Sequence, residues 1–364
     1  MRGGIGPLKW DSQVQTTGRG VTTHILTSMK ELAMQPITRR RLLSAGLGVA
    51  ALATGAACWR GGGLKQVERG AVALGTKVRL TLLHDDEAAA HRAADAAFVE
   101  LDRVEEVLSI YRDGSQVSVL NREGTLRAPH EDLRTVLAAA LDMSRRTSGA
   151  FDVSIQPLWR AYAQAQKQGQ PLDPQAFDSA RRLVDWRKIE VSRERIVLRE
   201  PGMALTFNGI AQGFATDRVR QVLASHGIGH ALIDVGELAP LGDKHGQPWK
   251  AGIQHPRQED AYIALAALDA RGMATSGDYA SVLDAGSRVN HILDPATGRS
   301  PDQFASVSIV ADSAMLADAL STAVFVLGFE NGVELVRSTP GADGFFVFQS
   351  GRTFATEGFP LTRV

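Results

Sequence analysis

Asp318 and Thr322 stand four residues apart in a run, from Asp312 to Gly328, that is otherwise apolar enough for a buried helix. A helix completes a turn in about 3.6 residues, so the carboxylate and the hydroxyl project from one side. Both are hard oxygen donors, which suit magnesium better than zinc or copper, and magnesium usually sits beside substrate phosphates. A packing role fits the same two residues, because an Asp on a buried helix accepts hydrogen bonds from a loop and a Thr bonds the carbonyl one turn back. The spacing alone leaves both readings open.

Other stretches carry chemistry of a related kind. Asn208 to Gly213 (NGIAQG) leads from an expected strand into an expected helix. Glycines there let the backbone approach an anion, and the helix start offers free amide donors, although a packed strand-to-helix turn explains the glycines equally well. The glycine spacing is not that of a dinucleotide-binding turn. Ala274 to Tyr279 (ATSGDY) is expected to gather hydroxyls, a glycine and the Asp278 carboxylate in one turn. His291 follows, then an Asp294-Pro295 turn closed by Gly298. A histidine titrates near neutral pH and serves as acid or base, and a carboxylate either deprotonates a hydroxyl or orients the histidine. An ordinary hydrogen-bonded histidine and a turn-forming Asp294 are the plainer readings. Ser148 to Asp152 (SGAFD), leading to Trp159, places aromatics near a glycine turn that suit either ligand stacking or the core. Ser109 to Arg112 and Ser118 to Asn121 lie at the end of a long helix.

These pieces need a scaffold of ordinary size. The 364 residues balance 40 basic against 40 acidic side chains, so net charge does not call for a nucleic-acid partner. One cysteine, Cys58, excludes an intrachain disulfide and any cysteine-built zinc or iron-sulfur site. Alternation predicts a strand from Ala71 to Leu83, and helical spacing of Phe98, Leu101, Val104 and Leu108 predicts a helix from Glu87 to Ser109. A second helix is expected from Asp132 to Thr147, a polar surface excursion over 161–185, and a helix from Ala211 to His226. Strands are expected at Ile189 to Leu198, Ala204 to Phe207, Ala231 to Val235, Trp249 to Ile253, Ile263 to Leu268, Ser306 to Val310 and Gly344 to Phe348. No fixed-period repeat is present, and strands are not each followed by a crossover helix. The pattern predicts an α+β fold with a mixed or antiparallel sheet.

The N-terminal region reads differently. Arg39, Arg40 and Arg41 precede a charge-free run from Leu42 to Trp59, the pattern of a twin-arginine export signal. Residues 1–33 are then a leader expected to be disordered or a start placed too far upstream, 34–65 the signal and linker, and 66–364 the folded domain. This places the mature chain in the periplasm. An uncleaved anchor and lipidation of Cys58 stay open as further readings.

In their order along the chain, these motifs resemble the FAD:protein FMN transferases, the ApbE flavin-transferase family. The resemblance runs from about Ala73 to Gly328 and is carried by Leu74-Gly75-Thr76, Leu101-Asp102-Arg103 with Ser109 to Arg112, Ser148 to Asp152, Gly209 to Gly213 with Asp217-Arg218, Ala274 to Tyr279, His291 to Pro295 with Thr297-Gly298, and Ala317-Asp318 with Thr322. It implies a single ApbE-like domain and a magnesium-dependent enzyme that cleaves FAD. The FMN half is joined by a phosphoester to a Ser or Thr of an acceptor flavoprotein of the periplasm or membrane, and AMP is released. It further implies Mg²⁺ on Asp318, Thr322 and the carbonyl of Ala211. FAD would lie among Leu74, Tyr111, Ala150, Phe151, Asp152, Asn208, Gln212 and Ile292, with His291 or Asp278 as the base. Alternatives of other classes are an FAD-binding carrier with weak catalysis and an FAD pyrophosphatase.

Two positions depart from the family pattern. Gln212 stands where most members carry Lys, which removes a positive charge near the phosphates. Asp234-Val235-Gly236-Glu237 replaces the more usual paired glycines, adding bulk and charge at that turn. The Gln variant in an exported chain resembles the NosX-type subgroup associated with nitrous oxide respiration.

Overall fold

Eight strands that follow one another in chain order make a single antiparallel sheet, with helices inserted between them. They are β1 (Lys65–Ala73), β2 (Thr76–His84), β3 (His230–Asp234), β4 (Leu238–Leu241), β5 (Gly272–Gly277), β6 (Phe304–Ala311), β7 (Asp343–Phe348) and β8 (Thr353–Ala355). This computed structural model describes residues 63–279 and 289–362, together with the strand segments 37–38 and 282–284. The leader and the arginine signal lie outside the described residues, except that Ile37–Thr38 pairs antiparallel with Ala261 and Tyr262. No described helix is long and apolar enough to cross a membrane.

The helices in chain order are α1 (Glu87–Leu108), α2 (Gln116–Glu123), α3 (Glu131–Arg146), α4 (Gln156–Lys167), α5 (Pro174–Arg181), α6 (Ala211–Ser225), α7 (Ala314–Leu327) and α8 (Phe329–Arg337). The side chain of Asp86 caps α1, accepting from Ala88 and Ala89 at 2.9 and 3.2 Å. Its buried stripe is largely alanine, Ala90, Ala93, Ala94 and Ala97, before Leu101, Val104 and Leu108. Small side chains let the helix approach the sheet closely.

Strand alternation divides the core. Leu80 and Leu82 of β2, Val307 and Ile309 of β6 and Phe346 of β7 face the helices. Leu83, Val310, Phe345 and Val347 face the other way, onto a small sheet built from Trp249–Gln254 and Ala261–Leu268. A fully buried Leu or Phe contributes about 1.5–3 kcal/mol relative to exposure, so both faces matter to stability.

Several expectations change. The strand expected over Ala71 to Leu83 is a hairpin, because Leu74 and Gly75 both take positive φ, 52° and 72°, and form a two-residue turn that an alternating pattern does not reveal. Likewise Ile189 to Leu198 is the hairpin Ile189–Val191 and Arg195–Leu198. Ala204 to Phe207 is buried but makes no strand. Its backbone is taken elsewhere: the Asn121 amide holds Leu205 N–H and C=O at 2.6 and 2.8 Å, and Thr206 N–H donates to Val153 O at 2.9 Å. The polar stretch over 161–185 is not an excursion but contains the end of α4 and all of α5. Leu158, Tyr162 and Ala165 recur on one buried face, and Asp173 caps a helix opened by Pro174. The ATSG part of the expected chemical turn is strand β5; the turn begins only at Asp278. Every recorded strand pairing is antiparallel.

Candidate functional site

Asp318 and Thr322 do share one face of α7, and that face is covered by the first turn of α6. The backbone N–H of Gly213 donates to Asp318 Oδ2 at 2.9 Å. Only glycine fits these positions. A Cβ on Gly213 would lie 2.3 Å from the carbonyl oxygen of Ala314 and 2.8 Å from Asp318 Cβ, and one on Gly209 would lie 2.9 Å from Thr322 Oγ1. The two glycines of the NGIAQG run therefore serve helix packing, Gly213 against Asp318 and Gly209 against Thr322, and Ala211 lies between them in the chain. Asp217, one turn further along α6, accepts from Ala314 N–H at 3.1 Å and Met315 N–H at 2.9 Å, capping α7 from its neighbour. Burial pushes the Asp217 carboxyl up, against the pull of those amides.

From the sheet, Ser276 of β5 reaches α7. Its hydroxyl lies 3.2 Å from Thr322 Oγ1 and 2.8 Å from Ser321 Oγ. Ser321, rather than Thr322, bonds back to the carbonyl of Asp318, at 2.9 Å. Glu237, at the start of β4, is buried too and accepts from Thr275 N–H at 3.1 Å through Oε2. Burial, then the nearby Asp318 carboxylate, pushes Glu237 well above the usual range, and burial likewise raises Asp318. Neither carboxylate has an ion-pair partner among the described residues. Carboxylate, hydroxyl and carbonyl oxygens without nitrogen or sulfur, in a buried place short of positive charge, fit a hard divalent cation. No group of three or more His, Cys, Asp or Glu forms among the described residues, so any such site leans on hydroxyl and carbonyl oxygens.

The hairpin turn joins this cluster. Gln212 Nε2 lies 3.5 Å from Leu74 O, a long contact, and a Cβ on Gly236 would sit 3.0 Å from the Gln212 amide. Leu74 N–H donates to Glu105 at 2.6 Å, and Glu105 in turn pairs with Arg112, so the Leu74 and Tyr111-Arg112 motifs are one unit. Tyr111 is 70% exposed, its ring available to a planar ligand. Asn208 is exposed at the mouth of α6.

The remaining expected residues are placed less directly. Phe151 and Ile292 are 4% and 6% exposed and belong to the main core, so neither side chain stands free for stacking. Asp152 caps a short helical turn, taking Ser154 N–H and Oγ at 2.8 and 2.6 Å on one oxygen and Trp186 N–H at 3.1 Å on the other. Burial raises its carboxyl nonetheless. Ala150 follows Ser148 and Gly149, both at positive φ, in the turn beneath which Trp186 packs. Asp294 is a turn former: its carboxylate accepts from Ala296 N–H and Thr297 Oγ1, each at 2.9 Å.

Against sequence profiles of known families, residues 74–346 match the ApbE family. The chain belongs to the ApbE family. A relative from Treponema pallidum, named FAD:protein FMN transferase, is 31% identical over 81% of this chain and 88% of its own length. One from Haemophilus influenzae with the same name is 28% identical over 86% of this chain and 97% of its own. Among solved structures, the flavinyl transferase ApbE of Pseudomonas stutzeri aligns with a TM-score of 0.70 at 28% identity, covering 81% of this chain and 96% of that one. The flavin transferase ApbE of Vibrio cholerae aligns at 0.74 and 24% identity, over 82% of this chain and all of its own, which speaks to the fold alone. The ApbE match opens on Leu74 and closes in β7, so every site residue above falls inside it.

Two ApbE motifs remain, Asp278 and His291. Asp278 is held by the Arg257 guanidinium in two parallel bonds of 2.7 Å and receives a third, from Gln349 Nε2, at 2.6 Å. The ion pair in turn holds the Arg257 guanidinium above its usual range. Neither partner had a signal in the sequence, since the contacts span 21 and 71 residues. A cavity of about 470 Å³ opens beside them, lined by His255, Arg257, Asp260 and Tyr279 among others. Burial, then Asp278 and Glu237, push the Tyr279 phenol up to about 12, so it stays protonated. His291 is half-buried between Asn290 and Ile292. Its segment is set by Asn290, whose side chain accepts from Ile292 N–H at 2.8 Å, and by Val289 and Leu293 packing on α4 and α5. The misread stretch over 161–185 is thus the support beneath His291.

Proposed function

We propose that this chain is a magnesium-dependent FAD:protein FMN transferase. It splits the pyrophosphate of FAD, links FMN to a Ser or Thr hydroxyl of an acceptor flavoprotein, and releases AMP. One observation carries the reading: the first turn of α6, whose Gln212 N–H has no partner among the described residues, is seated on the Asp318–Thr322 face of α7 through the Gly213–Asp318 bond. The relatives' shared name, at 31% identity over most of both chains, supports it.

In this reading Asp318, Thr322 and the carbonyl of Ala211 hold Mg²⁺, which when bound neutralises charge on the phosphates and polarises the bond that breaks. The chain's own groups do the rest. The backbone N–H and the side-chain amide of Gln212, at the start of α6, serve the phosphates as hydrogen-bond donors. The hairpin turn at Leu74, the Tyr111 ring, the backbone of Ala150 to Asp152, Asn208 and Ile292 bound the space for FAD. His291 takes the proton of the incoming hydroxyl as its oxygen bonds to the FMN phosphorus, and AMP departs with the electrons of the cleaved phosphorus–oxygen bond. Asp278 is the weaker candidate for that proton, because Arg257 and Gln349 occupy both its oxygens. Gln212 in place of Lys leaves this site with one positive charge fewer. We also propose that the chain works in the periplasm after twin-arginine export, on an acceptor there or in the membrane; the Arg39 to Arg41 signal supports that.

The test is an incubation of the purified chain with FAD, Mg²⁺ and a candidate acceptor, followed by mass spectrometry of the acceptor and chromatography of the nucleotides. An FMN adduct with matching AMP is expected. AMP and free FMN without adduct means hydrolysis instead, and intact bound FAD means a carrier.

A further inference from the structure

We propose that Glu237 is a second carboxylate of the divalent-cation site, so that this chain takes up the cation before the nucleotide arrives. The inference rests on the reading of Asp318 as a metal ligand and concerns the residue beside it.

Glu237 is fixed from three sides. Gly236 before it takes φ +93°, a turn that favours glycine, and the Glu237 side chain that follows is buried. Its Oε2 accepts from Thr275 of β5 at 3.1 Å, and the next residue on β5, Ser276, is the one whose hydroxyl meets Thr322 at 3.2 Å. On the α6 side, Thr216 Oγ1 bridges the carbonyls of Gln212 and Glu237 at 2.8 and 3.2 Å. The same turn of α6 carries Gly213, which holds Asp318. Glu237 is therefore tied to both ligand residues, to Thr322 through Thr275-Ser276 of β5 and to Asp318 through Thr216 and Gly213 of α6.

Their hydrogen bonding is incomplete in the same direction. One oxygen of each carboxylate accepts a backbone N–H; the other, Glu237 Oε1 and Asp318 Oδ1, accepts none from the described residues. Glu237 is 8% exposed and Asp318 4%, and no Lys, Arg or His among the described residues stands within ion-pair distance of either. Two buried carboxylates close together cost several kcal/mol unless a proton or a cation sits between them. The side chain beside Gly236 is the neutral amide of Gln212, which supplies no charge. A divalent ion cancels both carboxylates at once, and their open oxygens are hard donors of the type it takes.

The test is a titration of Mn²⁺, a paramagnetic stand-in for Mg²⁺, into the full chain without nucleotide, read by the resonance of free Mn²⁺. The wild-type chain is expected to bind one ion. Glu237→Gln, which keeps an acceptor for Thr275, is expected to weaken binding tenfold or more while its metal-free melting temperature holds or rises. Wild-type affinity in Glu237→Gln overturns the proposal, as does a wild-type chain that binds no Mn²⁺ without nucleotide. The underlying reading is tested separately, by the same titration with FAD bound. If Asp318→Ala binds Mn²⁺ there as tightly as wild type, the Asp318 assignment falls as well.

Discussion

The N–H of Gly213 and the carboxylate of Asp318 meet at 2.9 Å across 105 residues of sequence, and this bond sets the first turn of α6 against the ligand face of α7. A helix start carries a partial positive charge, and in this one the Gln212 N–H is left without a partner among the described residues. Placed here, it stands beside a carboxylate and a hydroxyl that suit a cation, which is the pairing that phosphoryl transfer needs.

Gly213→Ala follows directly from that packing. The added methyl would lie 2.3 Å from Ala314 O, backbone that cannot step aside without moving α7. A loss of about 2–4 kcal/mol is expected, read as a lower melting temperature, with transfer reduced further than the stability loss explains. Gly229→Ala is the control, since nothing lies within 4 Å of its Cβ position; it should melt as wild type.

Asp217→Ala removes the acceptor for two amides at the start of α7, at 3.1 and 2.9 Å. A buried cap of this kind is worth about 1–2 kcal/mol. Denaturant unfolding should show that loss, and the apparent affinity for Mg²⁺ should weaken as α7 frays near Asp318.

Glu100 gives a pH signature. Arg103 first, then Arg218, hold its carboxyl below the usual 4.5, with Arg103 bonds of 2.6 and 2.9 Å and an Arg218 bond of 2.7 Å. Its folded value lies under its unfolded one, so the unfolded chain binds more protons in between. The stabilisation is complete above the unfolded value and is lost as pH falls through the folded value. Wild type should exceed Glu100→Gln by about 1 kcal/mol at pH 7. That gap should close below about pH 4.5; a gap independent of pH contradicts the assignment.

His291→Ala should lower transfer by about 100-fold or more while FAD still binds, measured by single-turnover kinetics and fluorescence quenching. Asp278→Asn should cost less in rate and more in stability, because it breaks the two 2.7 Å bonds with Arg257. The reverse order would move the base to Asp278.

How much of this was legible in the sequence differs by element. The i, i+4 spacing of Asp318 and Thr322 and the glycines of Asn208 to Gly213 were readable because helix period and steric need leave local marks. The hairpin at Leu74 was not, since its two-residue turn continues the alternation of the strands it joins. Nor was the support beneath His291, because α4 and α5 bury a face made of few large apolar residues, Leu158, Tyr162 and Phe177 chief among them, between glutamines. The Arg257–Asp278–Gln349 cluster left no trace at all. It joins the turn after Trp249–Gln254, the end of β5 and the end of β7, and only the folded sheet brings those together.

The central claim is tested most directly by the mass of a candidate acceptor after incubation with FAD and Mg²⁺, in parallel with wild-type chain, Asp318→Ala, and wild type with excess chelator. The account predicts an FMN adduct and equal AMP from wild type alone. An adduct of the same yield from Asp318→Ala or in chelator, or hydrolysis of FAD with no adduct from wild type, would contradict it.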